Sequence, residues 1–306
     1  MGIKPTVDIV VPCYNVERAI IKTIKSLIQQ DYAKEQYHCY FVNDASTDKT
    51  ESILNSYSDH SQITIITHAV NRGLSATRNT GLKQSKAEFL CFLDGDMEVQ
   101  SDWLNSMILY FSSANVIGVM GDNMMPLNTK PTILEKYYFS HLRGARTLSD
   151  GEVIPRKFIL FGNTMLRRKT LEKVGGFDES FLHYGGEDID LAFRIEDKFP
   201  KGFRFSNQSA SRHYHPRSVK SFCNSMYIYG RENLPVLIAR YPKYEKDLAG
   251  DWIHSLKGKL IFNFILRRII DRIFKVFPSI FLVRYKVADA VITGAREHYK
   301  TKNTIA

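Results

Sequence analysis

Asp94 and Asp96 stand one residue apart, with Gly95 between them, at the end of the apolar run Phe89 to Leu93. A short buried strand that ends in a polar tip has this pattern. Alternate residues of an extended tip share a side, so the two carboxylates face one way. Such a pair suits a hard divalent cation and a ligand that arrives with one, such as a nucleoside diphosphate. A surface turn rich in Asp and Gly would look the same in isolation. The reading therefore depends on the surrounding elements.

Those elements alternate. Apolar spacing predicts strands at Val7–Pro12, Tyr37–Asn43, Ile63–Thr67, Glu88–Leu93 and Val116–Gly121. Helical spacing fills the gaps: Val16–Gln30, a helix capped by Ser46 or Thr47 that runs through Leu54, Gly73–Lys83, and Asp102–Phe111. Repeated strand–helix–strand units imply a parallel sheet with helices on both faces, and right-handed crossovers put the strand C-termini on one edge. Ligands of open α/β sheets bind outside that edge. Polar tips collect there: Pro12-Cys13-Tyr14-Asn15, Asn43-Asp44-Ala45-Ser46 and Asp94-Gly95-Asp96. The first strand is not followed by Gly-x-Gly-x-x-Gly, which argues against an ordinary dinucleotide-binding half. Further along, Phe158–Leu166 reads as a strand, Gly175-Gly176-Phe177-Asp178 as a turn, and Gly185 to Ile195 as a turn leading into a helix. Phe203–His215 reads as one or two strands and Phe222–Arg240 as helix.

Six motifs in order carry a resemblance: Val11-Pro12-x-Tyr14-Asn15; Asn43-Asp44-x-Ser46-x-Asp48; Asn71-Arg72-Gly73-Leu74-Ser75-x-x-Arg78-Asn79-x-Gly81; Leu93-Asp94-x-Asp96; Gly175-Gly176-Phe177-Asp178; and Glu187-Asp188-x-Asp190-Leu191-x-x-Arg194. Together they resemble the family-2 glycosyltransferases of the GT-A fold, from about Val7 to about Arg231. The resemblance implies a Rossmann-like, mostly parallel sheet flanked by helices. It also implies transfer of a sugar from a nucleoside diphosphate to a hydroxyl, with inversion. Asp44 would accept the ring N–H of the base, with Pro12, Tyr14, Asn15, Asn71, Gly73, Arg78, Asp94 and Gly95 also on the nucleotide. Asp96 would hold Mn2+ or Mg2+, joined by one of His213 and His215, since imidazole suits Mn2+. Asp188 would be the general base, favoured in its ionised form near a helix N-terminus, and Glu187 would touch the acceptor or orient Asp188. Asp190 and Arg194, four apart on that helix, read as a structural pair. A UDP-sugar is the preferred donor, although Asp44 would tolerate thymine or guanine. Thr129–Arg156, with Tyr137, Tyr138, Phe139 and Arg143, is a candidate acceptor-side element.

Of 306 residues, 44% are hydrophobic and 24% charged, a globular composition. Cys13, Cys39, Cys91 and Cys223 show no metal-type spacing and read as free thiols in a reducing compartment. Met1–Thr6 runs into a strand with no apolar signal region, so the expectation is a cytoplasmic protein. The net charge of +10 is uneven: from Asp251 on there are 11 Lys/Arg against 4 Asp/Glu, a surplus of +7. These cations are interleaved with Ile, Leu and Phe, unlike a nucleic-acid surface. In Lys259–Phe277 the polar positions Asn263, Arg267, Asp271 and Lys275 recur every fourth residue, with Arg268 and Arg272 alongside. This helix is too charged to span a bilayer and suits an anionic membrane interface. Pro278 breaks it, and Phe281–Ile292 is a second such element; packing on the catalytic domain or a homodimer interface is the competing reading.

The expected organisation is a catalytic domain over 1–220, with a nucleotide half at 1–122 and an acceptor half at 123–220. A basic helical extension follows over 221–306, placing the protein peripherally on the inner face of the cell membrane. Two other classes stay open. A nucleotidyltransferase should carry a Gly-rich signature with Arg and Lys after the first strand, and Val16-Glu17-Arg18 matches it poorly. A non-catalytic scaffold would keep the fold without the chemistry.

Overall fold

The computed structural model describes residues 5–127, 129–214 and 216–305. By internal contacts the chain divides into two compact units. The first comprises Met1–Thr129, His141–Leu182 and Glu187–His215; the second comprises Lys130–Ser140, His183–Gly186 and Pro216–Ala306.

The first unit is built on β1 (Val7–Cys13), α1 (Ile20–Ile28), β2 (Tyr37–Asn43), α2 (Thr50–Asn55), β3 (Ile63–Thr67), α3 (Leu74–Gln84), β4 (Phe89–Leu93), β5 (Met97–Val99), α4 (Trp103–Ile108) and β6 (Gly118–Met124). The helix α5 (Ile133–Tyr138) belongs to the second unit. β7 (Asn163–Arg167), α6 (Arg168–Val174), α7 (Glu187–Lys198) and β8 (Phe203–His213) complete the first. The eight strands form one sheet in the order β3-β2-β1-β4-β7-β6-β8-β5. β1 and β4 are buried along their whole length, as continuous apolar strands covered on both faces should be.

The sheet is mostly parallel, not wholly so. β7 runs antiparallel to both β4 and β6, and β5 antiparallel to β8. Both exceptions lie outside the strand–helix alternation that predicts parallel pairing: β5 follows β4 after a three-residue turn, too short for a crossover helix. Pro12, which has no N–H to give, sits beyond the β1–β4 ladder, whose last pair is Val10 with Phe92.

Local boundaries also differ from the sequence pattern. α1 starts at Ile20 because the N–H groups of Val16 and Glu17 go to Thr50 Oγ1 at 2.9 Å and Asp48 Oδ2 at 3.1 Å. The start of α2 is held by Asp48, which accepts from Thr50 N at 2.9 Å; Ser46 and Thr47 instead bind Asn15. The run from Phe158 is strand only from Asn163, after a 3-10 turn at Arg156–Phe158.

The second unit continues through α8 (Val219–Ile228), a π-helical turn at Tyr229–Asn233, α9 (Leu234–Arg240), α10 (Asp251–His254), α11 (Leu256–Ile261), α12 (Phe264–Val276) and α13 (Ile280–Ile305). Leu134, Tyr137, Phe222, Val283 and Val287 form its buried cluster, and Tyr138 stacks edge-on against Phe222 at 6.1 Å. Tyr137 and Tyr138 are thus taken up by packing. The expected single helix over Lys259–Phe277 is two, because Asn263 caps α12 by accepting from Leu266 N at 2.9 Å. Only part of the expected polar stripe faces inward: Arg267 and Asp271 meet α13, while Arg268, Arg272 and Lys275 stay exposed. Arg267 donates to Asp289 Oδ1 at 3.0 Å and also meets Thr293, while Asp271 pairs with Lys286, all three partners being on α13. Among the described residues no helix is long and apolar enough to cross a membrane.

Candidate active site

The candidate site lies within the first unit, where the tips of β1 and β2 are clamped together. Asn15 N donates to Ser46 Oγ at 3.1 Å, and Thr47 N returns to Asn15 Oδ1 at 2.8 Å. Asn15 sits at φ +52°, a left-handed conformation that Asn tolerates. Tyr14, beside it, is 49% exposed. Gly95 closes the third tip against the first: a Cβ there would stand 2.8 Å from the Pro12 carbonyl oxygen.

Asp44 is 3% exposed and organises the next loop. Its Oδ1 lies 2.7 Å from His68 Nδ1 and accepts from Arg72 N at 2.9 Å; Oδ2 accepts from Gly73 N at 2.9 Å. Asn71 donates to the Asp44 carbonyl at 3.3 Å. Gly73 precedes α3 at φ +85°, which only glycine adopts cheaply. The carboxylate therefore sets where α3 begins, and α3 carries Arg78.

Arg78 is 1% exposed. It donates to Asp188 Oδ1 at 2.7 Å and to Asp94 Oδ1 at 3.0 Å, and its Nη1 stands 4.0 Å from Glu187 Oε1. The guanidinium rests over the Phe177 ring, 5.0 Å from its centroid. Phe177 meets Phe92 and Phe161 edge-on at 5.1 and 5.4 Å, forming a rigid apolar floor. Asp188 also accepts from Phe161 N at 3.2 Å. The Gly175–Asp178 turn is tied to α3 by Asn79, which donates to the Phe177 carbonyl at 2.8 Å and accepts from Phe177 N at 2.9 Å. Arg194 bonds Asp190 at 2.9 Å and the carbonyls of Val174 and Gly176 at 2.7 Å each.

Burial decides the electrostatics of the acids. It pushes Glu187 up to about 7, helped by the neighbouring Asp188 and opposed by Arg78. It raises Asp188 too, with Arg78 pulling back. The first-turn position of Asp188 on α7 does not outweigh the loss of water.

Asp96 and His213 meet across the tips of β5 and β8, with Oδ1 and Nε2 3.2 Å apart. Tyr214 N donates to the Asp96 carbonyl at 2.8 Å, which fixes the end of β8 beside the carboxylate. Burial lowers the His213 pKa, but the Asp96 charge and hydrogen bond win and raise it overall. His215 lies outside the described residues. Among the described residues no group of three or more His, Cys, Asp or Glu is assembled as a metal site. One carboxylate and one imidazole still fit Mn2+, or Mg2+ through the carboxylate, when diphosphate oxygens and water complete the shell.

The expected residues form a connected set. Asp44 fixes α3, Arg78 on α3 joins Asp94 to Asp188, and Asp94 precedes Asp96 by two residues. Sequence spacing did not reveal Asn163 and Asn233. Asn163, 1% exposed, accepts from Trp103 Nε1 at 3.0 Å and donates to the Asp122 and Ser209 carbonyls. In the second unit, Asn233 donates to the carbonyls of His183, Tyr184 and Gly185. Asn163, within the apolar run Phe158–Leu166, offered a signal; Asn233, directly after Arg231 and Glu232, offered none.

Comparison with known proteins agrees with the fold. The model of glycosyl transferase family 2 matches residues 8–175, and that of the N-terminal domain of galactosyltransferase matches residues 154–218. The glycosyltransferase AglE of Haloferax volcanii is 28% identical over 195 residues, covering 63% of this chain and 62% of AglE. The chondroitin synthase of Pasteurella multocida is 26% identical over 251 residues, covering 70% of this chain and 26% of that protein. The chain thus spans less than two thirds of either relative. Among solved structures, S. aureus TarS 1–349 superposes with a TM-score of 0.61 at 16% identity, covering 97% of this chain and 92% of that one. The mannosyltransferase PcManGT from Pyrobaculum calidifontis, in complex with GDP-Man and Mn2+, gives 0.61 at 18% identity, covering 96% and 86%. The shared architecture is the GT-A fold, a curled, mostly parallel sheet flanked by helices. With a family match running over more than half of its length, the chain belongs to glycosyl transferase family 2, a family of sugar-transferring enzymes.

Proposed function

We propose that the protein is an inverting, metal-dependent glycosyltransferase that moves a sugar from a nucleoside diphosphate, preferably UDP, to a hydroxyl of a glycan or lipid-linked acceptor. The observation that carries this reading is the buried Arg78 bridging Asp188 and Asp94, beside the Asp96–His213 pair. Relatives support the donor class: TarS 1–349 has been solved with UDP-GlcNAc, and PcManGT with GDP-Man and Mn2+.

Asp188 serves as general base. Burial raises its pKa while Arg78 keeps the charged form accessible, the balance a base near neutral pH needs. It takes the proton of the acceptor hydroxyl, whose oxygen bonds to the anomeric carbon as the bond to the diphosphate breaks on the opposite face. Glu187 orients Asp188 or the acceptor. Asp44 Oδ2, which accepts from Gly73 N, keeps a lone pair for the N–H of a base. Tyr14, with Pro12, Asn15 and Asn71, lines the base, and Gly73, Arg78, Asp94 and Gly95 lie toward ribose and phosphate. Asp96 and His213 would hold the cation, which when bound neutralises charge developing on the leaving diphosphate. Action at the inner face of the cell membrane fits a lipid-linked acceptor.

Asp188→Asn tests the assignment. Release of UDP from UDP-sugars with Mn2+ and a membrane-lipid extract as acceptor should fall by about 10²–10⁴-fold. Undiminished turnover would remove Asp188 from the chemistry, and absence of turnover in the wild type would leave the scaffold reading.

A further inference from the structure

Helix α12 is inside out. Its paired charges, Arg267 and Asp271, are spent on Asp289, Thr293 and Lys286 of α13. Its outward surface is apolar: Ile265 is 71% exposed, Ile269 46%, Ile273 43% and Val276 67%. None of its residues is buried. Leu260 of α11, and Phe277 and Phe281 on either side of Pro278, are also exposed, at 76%, 72% and 82%. Scattered exposed apolar residues are ordinary, but a continuous face of this kind marks something that covers it.

A second stripe runs beside the apolar one. Arg268, Arg272 and Lys275 are exposed one helical turn apart, and Arg268 lies over the Phe264 ring at 4.5 Å. Lys257, Lys259 and Arg284 add to it, all exposed. Between residues 252 and 288 the one acidic residue is Asp271, which is paired with Lys286. The face is therefore apolar and cationic with no acid to balance it.

We propose that this face, formed by α11, α12 and the start of α13, docks in the headgroup layer of an anionic phospholipid bilayer. The apolar side chains enter the acyl boundary, and Arg268, Arg272 and Lys275 meet lipid phosphates. Charge complementarity selects this occupant over a second copy of the chain. Two such faces brought together would set like charges against each other with no carboxylate between them. The helix lies in the interface, since no described helix can cross a membrane. The docking deepens the proposed membrane location and needs none of the transfer chemistry.

Co-sedimentation of the full chain with vesicles tests it. Phosphatidylcholine vesicles carrying about 30 mol % phosphatidylglycerol should pellet the protein, and pure phosphatidylcholine should not. The triple variant Arg268→Ala, Arg272→Ala, Lys275→Ala should bind about 100-fold more weakly, from a few-fold loss per cation. The exposed double variant Ile265→Glu, Ile269→Glu should lose binding while keeping its circular dichroism spectrum. Asp188→Asn should pellet like wild type, which separates docking from catalysis. Absence of wild-type pelleting, or pelleting unchanged in both surface variants, overturns the proposal. So does a concentration-dependent dimer abolished by Ile265→Glu, Ile269→Glu without any vesicle binding.

Discussion

Arg78 reaches Asp188 across 110 residues of sequence and bonds it at 2.7 Å while only 1% exposed. One buried cation thereby serves three acids, Asp188, Asp94 and Glu187. Removing one partner of a buried charge cluster costs far more than the cluster contributes net, because the remaining charges lose their compensation. Arg78→Met should therefore lower unfolding stability by roughly 3–5 kcal/mol near neutral pH. Arg78→Lys should recover only part of this, since a single ammonium nitrogen does not reproduce the planar guanidinium, whose Nη1 meets Asp188 and whose Nη2 meets Asp94. Urea denaturation checks it, and an Arg78→Met midpoint equal to wild type would contradict the burial argument.

Glu187 makes the stability depend on pH in a defined direction. Its folded-state pKa is raised from 4.5 to about 7, so between those values the folded protein holds a proton that the unfolded chain has released. Stability then falls as pH rises through that window, and the loss is complete above the folded value. Glu187→Gln removes this proton. The difference in melting temperature, variant minus wild type, should grow more positive from pH 4.5 to about 7 and level off above. A difference that stays flat would mean that Glu187 is ionised throughout.

Two glycines near the site should respond differently to alanine. Gly73 has φ +85° and open space where an alanine methyl would stand, so Gly73→Ala strains only the backbone and should cost about 1–2 kcal/mol. Gly95→Ala would set its Cβ 2.8 Å from the Pro12 oxygen and 3.3 Å from Cys13 Sγ, forcing the β4 tip away from β1. Nucleotide affinity should drop more for Gly95→Ala than for Gly73→Ala at equal loss of stability, measured by titration with UDP.

The strands and the tips that carry Asp44, Asp94 and Asp96 were legible because short apolar runs ending in polar residues are local signals. Arg78 was legible as a candidate, but its partners were not: Asp188 and Asp94 come to it only through the third dimension. The antiparallel direction of β7 escaped because the run that contains it, Phe158 to Leu166, looks the same in either direction. The orientation of α12 was hidden for a related reason. Its fourfold polar spacing marks a face of the helix, and nothing local says whether that face meets water or the charges of α13. Asp289, 22 residues beyond Arg267, and Lys286, 15 beyond Asp271, decide it.

Asp96 and His213 lie 3.2 Å apart on two separate strand ends, so each would contribute one donor to a bound cation and the diphosphate the rest. UDP alone should then stabilise the protein weakly, and UDP with Mn2+ strongly. Ligand at about 100 times its Kd adds about 2.7 kcal/mol, a shift on the order of 5 °C for a chain of this size. Asp96→Asn and His213→Ala should each lose the Mn2+-dependent part and keep the metal-free part, because Asp44 and Tyr14 are untouched. GDP and dTDP in the same screen rank the base. If EDTA leaves the UDP shift of the wild type unchanged, Asp96 and His213 hold no ion, and their contact serves only to pin β8 to the β4–β5 turn.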